Sequence, residues 1–261
     1  MCREVVPCVL RPVARGRGRV TRPLVIAHRG GAGEAPENTI AAFVRARDLG
    51  VDGLECDVHL TRDGVVVVHH DPDLKLAAEG PRVGIGEAEA AAVLAADLGW
   101  THGAAHRGHR VPTLDAFLGV GEGLALMIEL KPGPQGPALG AAVGRRIAQV
   151  APGPDRDRLL AASYDPSALA ACHDTCPGIM MLGVARGDTR TPELEALPLA
   201  GWAVERSAVT VAAVAAGQAA GQVTWGWTVD APGQVASLTA AGVDGLITDI
   251  PAAILALVDD Q

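Results

Sequence analysis

Aromatic residues are scarce in this chain, which has one Tyr, two Phe and four Trp among 261 residues. The core must therefore be filled mainly by Ala, Val, Leu and Ile, and an apolar fraction of 49% is large enough for that. No stretch approaches the ~20 consecutive apolar residues of a membrane-spanning helix, so we expect no stable membrane insertion. A length of 261 residues fits one domain, since single α/β barrels of about 250 residues are common.

The chain also has few cysteines and a negative net charge. Five cysteines at irregular spacing argue against the disulfide framework of a small secreted protein. A net charge of −8 argues against a nucleic-acid partner. The exception is residues 1–22, which hold six arginines but no apolar run like that of a signal peptide. We predict a disordered basic tail over residues 1–22, one domain over residues 23–261, and a cytoplasmic protein.

Short β-rich runs alternate with Ala-rich segments of helical length, a pattern typical of a mostly parallel sheet. The predicted strands are Leu24–His28, Gly53–Val58, Val65–His69, Ala125–Leu130, Leu159–Ser163, Ile179–Val184, Gly201–Val204, Val223–Val229 and Gly245–Thr248. The predicted helices are Thr39–Leu49, Ile85–Asp97, Leu114–Gly119, Leu139–Val150, Pro166–His173, Val209–Gly217 and Gly233–Ala241. A barrel of this class has eight strands, so one of the nine is not a strand or lies off the barrel.

Three carboxylates fall at the ends of predicted strands. Glu55 and Asp57 are two residues apart, so both side chains point to one face of their strand. Glu129 ends another apolar run, with Lys131 following on the same face. Any one of them alone is best interpreted as a solvated charge. Together, beside histidines and cations, they predict an oxygen-rich site for Ca²⁺ or Mg²⁺, and Mn²⁺ also fits.

The connection Thr61–Gly64 is too short to join two parallel strands, which need a dozen or more residues between them. Its Asp-Gly pair predicts an antiparallel hairpin. With a two-residue loop, Leu60 pairs with Val65, and His70 shares the face of the two carboxylates on the preceding strand. A slip of one residue would put His69 there instead, so the choice depends on the turn type.

The remaining polar residues around this region suit phosphodiester chemistry. A phosphodiester needs its charge neutralised, a proton removed from the nucleophile and a proton supplied to the leaving oxygen. Arg29 can bind the phosphate through two nitrogens and Lys131 can add a point charge. His28 and His70 can transfer protons near neutral pH. Trp227 can form a wall of the substrate pocket, with core packing as the alternative.

With these residues the chain resembles the glycerophosphodiester phosphodiesterase family over nearly its whole length from Leu24. The motifs that carry the resemblance occur in the family's order. They are HRGGAGEAPENT at 28–39, GLECDV with TRDG and VVVHHD through 71, PTL at 112–114, IELK at 128–131, SYDP at 163–166, GWTVD at 226–230 and DGLITDIP at 244–251.

The resemblance implies an α/β fold, a TIM (β/α)8 barrel, to which the short connection adds a local antiparallel hairpin between the second and third strands. It implies hydrolysis of a small-molecule glycerophosphodiester to glycerol 3-phosphate and an alcohol, by way of a cyclic phosphate. Carried over to this chain, it assigns Glu55, Asp57 and Glu129 to the metal, His28 and His70 to general acid–base catalysis, and Arg29, Lys131, Trp227 and Asn38 to the substrate side, with Asn38 orienting the site.

One segment departs from the family. After His70-Asp71 the family usually carries a loop rich in Arg and Thr, whereas this chain reads PDLKLAAEGPRVG. That difference affects the pocket for the leaving alcohol rather than the chemistry. One alternative is lysophospholipase D-like hydrolysis of lysolipids, which keeps the site but changes the substrate. A separate alternative is a non-catalytic barrel that binds a phosphorylated ligand, which would be expected if His28, His70 or a metal carboxylate were missing, and all of these residues are present. Nothing in the sequence specifies an oligomeric state.

Overall fold

The computed structural model describes residues 13–15, 20–76, 80–99, 103–151, 153–187 and 190–259. Eight parallel strands follow one another around a closed barrel, because the last strand pairs with the first and the first with the second. They are β1 Leu24–Ala27, β2 Gly53–Leu60, β3 Ala125–Leu130, β4 Leu159–Ser163, β5 Met180–Ala185, β6 Gly201–Glu205, β7 Val223–Trp227 and β8 Gly245–Thr248. The predicted TIM barrel is confirmed.

Helices lie between the strands and after the last one. They are α1 Ile40–Asp48, α2 Ala90–Leu94, α3 Leu114–Val120, α4 Gly136–Val150, α5 Pro166–Thr175, α6 Pro192–Glu195, α7 Val211–Ala219, α8 Pro232–Ala241 and α9 Pro251–Asp259. Of the helices in the described ranges, none is both long and apolar enough to cross a membrane.

Alternation along the strands separates two apolar layers. Side chains such as Ile26, Met127 and Leu182 point into the barrel and pack with Trp225, whose side chain is fully buried. Their neighbours in sequence point outward and pack under the helices. Because side chains on a strand alternate in direction, nearly continuous apolar runs fill both layers at once. This explains how a chain with so few aromatic residues builds a large core.

Threonines set the starts of several helices. Thr39 Oγ1 accepts a hydrogen bond from the backbone N–H of Ala42 and caps α1, and Thr113 Oγ1 does the same for Ala116 in α3. Threonine is one of the residue types preferred at N-cap positions. Capping by Thr39 leaves the side chain of Asn38 available for another contact, described below.

The long helix predicted over Ile85–Asp97 is wrong. The segment forms a 3₁₀ turn over Ile85–Glu87 and only the short α2. The reason lies in the hairpin loop beside it: the backbone N–H of Arg62 donates to the carbonyl of Ala88, and Asp63 Oδ1 accepts from the N–H of Ala90. These tertiary hydrogen bonds use backbone groups that a continuous helix would need for itself.

The predicted hairpin is confirmed, but its register is wrong by one residue. The strand Val66–Val68 runs antiparallel to the end of β2 and lies off the barrel, which accounts for the ninth predicted strand. Leu60 pairs with Val66, not with Val65. The loop has three residues instead of two, because Thr61 N–H donates to the Val65 carbonyl and Gly64 takes a φ of +84°. A third loop residue at positive φ is the usual way to close such a hairpin.

Two further strand pairs lie outside the barrel. Asp73–Lys75 pairs with Arg82–Gly84 beside the barrel mouth. Val13–Arg15 pairs with Val20–Arg22 inside the predicted tail, whose remaining residues lie outside the described ranges. The guanidinium of Arg22 lies 2.6 Å from Asp52 Oδ2 and 2.9 Å from Asp259 Oδ1, so this residue is attached to the barrel.

Candidate active site

Three carboxylates meet at the ends of two neighbouring strands. Asp57 on β2 lies beside Glu129 on β3 in the parallel register, and Glu55 lies two residues before Asp57 on the same face. One oxygen from each of the three lies within 4.8 Å of the others. Glu55 and Asp57 are each only 1% exposed. The structure thus brings together the three residues predicted to hold a metal.

Burial and neighbouring charges shift the pKa values of the three carboxylates in different directions. Burial and the charge of Asp57 raise the pKa of Glu55, and the same two effects raise the pKa of Glu129. Burial alone would also raise the pKa of Asp57, but the charges of Lys131 and Arg29 outweigh it and lower that pKa. The ammonium of Lys131 lies 3.2 Å from Asp57 Oδ1 and 2.8 Å from Glu129 Oε1. The protein therefore favours the ionised form of Asp57, and an added cation would favour the ionised forms of Glu55 and Glu129 as well.

The cluster fits a hard divalent cation. All three side chains supply oxygen, the ligand that Ca²⁺, Mg²⁺ and Mn²⁺ prefer. Glu55 Oε1 is buried without a hydrogen-bond partner, an arrangement that is costly unless a cation occupies the site. Asn38 is completely buried and donates from Nδ2 to Asp57 Oδ2 at 3.0 Å. It orients a carboxylate of the cluster and does not itself line the cavity.

The turn after β1 positions Arg29 in contact with the acidic cluster. Arg29 has a φ of +53°, and its backbone N–H donates to Glu55 Oε2 at 2.8 Å. Its side chain lies 3.2 Å from Asp57 Oδ2 and 3.1 Å from Glu37 Oε2. Glu37 thus ties the Arg29 side chain to the loop that follows the turn. Arg29 is thereby held at the cavity wall, where a phosphate could reach it.

His28 lies on the same turn and is paired with an aspartate that the sequence did not single out. His28 Nδ1 lies 2.7 Å from Asp249 Oδ1, just after β8. Burial alone would lower the pKa of His28, but the hydrogen bond to Asp249 and the charge of Glu55 raise it to about 8. The only sequence signal for Asp249 was its place after an apolar run within the motif DGLITDIP.

His70 also lines the cavity, although the register that led to it was wrong. The shifted hairpin places His69, not His70, beside Asp57, with a hydrogen bond from His69 N–H to the Asp57 carbonyl. The strand ends at Val68, however, and the chain bends, so that His70 reaches the cavity. His70 Nδ1 lies 2.9 Å from Asp71 Oδ1. Each imidazole therefore has its Nδ1 bound to an aspartate.

Both histidines, Glu55 and Glu129 line one cavity of about 580 Å³ at the carboxyl ends of the strands. Its far wall is formed by Trp227, Tyr164 and Arg186. The rings of Tyr164 and Trp227 meet edge to face at 6.4 Å between centroids, and the Arg186 guanidinium lies 5.4 Å from the Trp227 ring centroid. Trp227 was predicted to line the pocket. Tyr164 and Arg186 were not predicted, although Tyr164 stands in the motif SYDP directly after β4.

We expect Asp249→Asn to lower the pKa of His28 from about 8 towards or below 6.5, because the carboxylate that favours the imidazolium is lost. A folded-state pKa above the unfolded value stabilises the fold below pH 6.5, and this contribution is lost as pH rises through about 8. The variant should therefore lose more stability at pH 6 than at pH 9. NMR titration of the ring in chelator measures the pKa.

Asp174→Asn, which removes an exposed carboxylate on α5, is the control for this titration. It should leave the pKa of His28 unchanged. An unchanged pKa in Asp249→Asn as well would contradict the electrostatic role given to Asp249.

Comparisons with known proteins agree with this geometry. The family model described as "Glycerophosphoryl diester phosphodiesterase family" matches residues 28–253. A glycerophosphodiester phosphodiesterase from Caldanaerobacter subterraneus is 30% identical over 91% of this chain and 98% of its own length. An Oleispira antarctica phosphodiesterase, solved in complex with its product sn-glycerol-3-phosphate, superposes with a TM-score of 0.82 at 29% identity, over 91% of this chain and 97% of that one.

A shorter stretch resembles a different enzyme of the family. Fifty-two residues, or 20% of this chain and 17% of the other, are 60% identical to human lysophospholipase D GDPD1. The family model, matched over residues 28–253, spans both histidines, the acidic cluster and the cavity walls. This chain belongs to the glycerophosphoryl diester phosphodiesterase family and is a glycerophosphodiester phosphodiesterase.

Proposed function

We propose that this chain hydrolyses glycerophosphodiesters to glycerol 3-phosphate and an alcohol in a metal-dependent reaction, with His28 and His70 as the acid–base pair. The observation that carries the proposal is the cavity itself: two imidazoles, each bound to an aspartate through Nδ1, border the same space as a cluster of carboxylates. A barrel that only bound a phosphorylated ligand would not need this arrangement of proton-transfer groups.

The residues on the cavity wall have separate roles in the reaction. Arg29 and Lys131 neutralise the phosphate, whose negative charge would otherwise repel a nucleophile. One histidine takes the proton of the glycerol 2-hydroxyl as that oxygen bonds to phosphorus. The other histidine protonates the alcohol oxygen as its bond to phosphorus breaks. Water then opens the cyclic phosphate with the two proton transfers reversed, which leaves glycerol 3-phosphate.

Glu55, Asp57 and Glu129 would hold the divalent cation. When bound, the cation supplies Lewis-acid stabilisation of the charge that develops on phosphate oxygen. Asn38 keeps Asp57 in place through its hydrogen bond. Lys131 contacts two of the three carboxylates, and thus links the metal site to the phosphate site.

Lysophospholipase D-like activity is the second candidate, favoured by the 60% identical stretch shared with the human enzyme. Within the cavity, Met127, Val184 and Ile247 supply an apolar floor. However, the guanidinium of Arg186 lies over the ring of Trp227, the largest apolar surface on the wall. Deacylated, water-soluble diesters therefore suit this cavity better than lysolipids.

The test is release of the alcohol from a panel of deacylated diesters and short-chain lysolipids, with and without chelator. The phosphate product is glycerol 3-phosphate from a deacylated diester and its acylated form from a lysolipid. We expect release from deacylated diesters that stops in chelator and returns when Mg²⁺, Ca²⁺ or Mn²⁺ is added. Faster turnover of lysolipids would favour the second candidate. No release from any compound by folded, metal-loaded protein would contradict both.

A further inference from the structure

Arg82 lies outside the barrel, on the strand Arg82–Gly84, and yet contacts the aspartate that binds a cavity histidine. Its Nη2 donates to Asp71 Oδ2 at 2.8 Å. The other oxygen of the same carboxylate, Asp71 Oδ1, lies 2.9 Å from His70 Nδ1. A continuous series of contacts therefore connects the outlying strand pair, through Asp71, to His70 at the cavity.

Arg82 is itself held in place by Asp73. The same Nη2 also donates to the backbone carbonyl of Asp73 at 2.7 Å, and Nε contacts the carboxylate of Asp73. Because the guanidinium is planar and rigid, fixing two of its nitrogens on Asp73 fixes the direction in which it meets Asp71. Asp73 and Arg82 lie on paired strands, so the strand pair sets the position of the guanidinium.

His70 needs such support more than His28 does. His28 follows β1 directly, and only 15% of its side chain is exposed. His70 lies on a bend after the hairpin strand has ended, with 34% of its side chain exposed. Its backbone carbonyl is held by His59 Nε2 at 3.1 Å, but that contact leaves the ring free to rotate. The ring direction therefore depends on Asp71, itself 51% exposed.

We propose that Arg82 is a positioning residue for this reaction: it holds the Asp71 carboxylate, which in turn orients the imidazole of His70 at the cavity. The proposal rests on the proposed function of His70. It gives the strand pair beside the barrel mouth a role in catalysis, although the pair contributes no group that touches the reacting atoms. An alternative is that Arg82 only stabilises the fold, but exposed ion pairs contribute little to stability.

The expected effect is on turnover rather than on binding. Arg82→Gln should lower kcat by about 10-fold with KM within about two-fold, since small misplacements of a catalytic group can cost up to about 100-fold in rate. Arg82→Lys keeps the charge and should recover part of the lost rate. Arg62→Gln is the matched control, because Arg62 also forms an exposed ion pair, with Glu89, but does not line the cavity. It should leave kcat unchanged.

A double-mutant cycle with Asp71→Asn separates positioning from a structural role. If Arg82 acts through Asp71, adding Arg82→Gln to Asp71→Asn should lower kcat by less than about two-fold further, because the path is already broken. Independent effects that multiply, or a normal kcat in Arg82→Gln, would overturn the proposal. Thermal unfolding of each variant identifies a loss of folding, and a lower Tm that accounts for the lost rate would also overturn it.

This experiment also separates the inference from the function on which it rests. Wild-type protein that releases glycerol 3-phosphate, with His70→Ala inactive and Arg82→Gln fully active, would overturn the role of Arg82 alone. Wild-type protein that releases nothing from any diester would overturn the proposed function itself.

Discussion

His70→Ala is expected to lower kcat for glycerol 3-phosphate release by about 10³-fold, within the range of 10²–10⁴ that a single acid–base group contributes. His28→Ala should lower it by a similar factor. Both imidazoles line the cavity, and each has Nδ1 bound to an aspartate, which leaves Nε2 for proton transfer. His173→Ala removes a histidine of α5 that does not line the cavity, and it should retain full activity.

A change of leaving group tells the two histidines apart. A diester of glycerol phosphate with p-nitrophenol releases an alcohol so acidic that it needs no protonation. The variant lacking the general acid should therefore regain most of its rate of p-nitrophenol release in the first turnover. The variant lacking the general base should not, because its nucleophile still needs deprotonation. Rescue of one variant and not the other is the expected result. Full activity of both variants on every substrate would contradict acid–base catalysis by these histidines.

Local pattern was sufficient to predict the barrel and most of its elements. Apolar runs separated by helical segments defined all eight barrel strands to within a few residues, because each strand must fill the barrel interior and the layer under the helices. Two helices, α6 and α9, were not predicted. Another failure came where a distant segment intervenes. Arg62 and Asp63 in the hairpin loop take backbone groups that the predicted Ile85–Asp97 helix would have used.

The site was predictable for the residues on strands and less so for those beyond them. Glu55 and Asp57 share a face because strand side chains alternate, and that holds whatever the tertiary fold. His70 reaches the cavity through a bend after Val68, which no strand register could predict. Asp249 pairs with a histidine 221 positions earlier in the chain. That contact exists only because β8 closes the barrel against β1.

Glu55→Gln is expected to abolish metal-dependent activity and, in chelator, to stabilise the protein. Burial and the charge of Asp57 raise the pKa of Glu55 to about 8, so its ionisation opposes folding. The proton is bound more tightly in the folded state, and stability is lost as pH rises from the unfolded pKa of about 4.5 through about 8. The glutamine amide that replaces the carboxylate can still accept the Arg29 N–H bond but carries no charge. In chelator, the Tm of the variant should therefore exceed that of wild type by more at pH 9 than at pH 6.

Adding metal should reverse which of the two proteins, wild type or Glu55→Gln, has the higher Tm. A cation that binds only the folded state stabilises it by about 2.7 kcal/mol at 100 times its Kd, and this gain needs the carboxylates of the cluster. Wild type should therefore gain Tm with Mg²⁺, Ca²⁺ or Mn²⁺ and overtake Glu55→Gln, which gains little. Glu122→Gln, at an exposed site outside the cluster, should behave as wild type under both conditions. If Glu55→Gln instead lowered the Tm in chelator, Glu55 would be a structural carboxylate. The order of the two Tm values is expected to reverse because the buried carboxylates repel one another when no metal is bound. The carboxylates that bind the cation therefore also destabilise the fold in its absence.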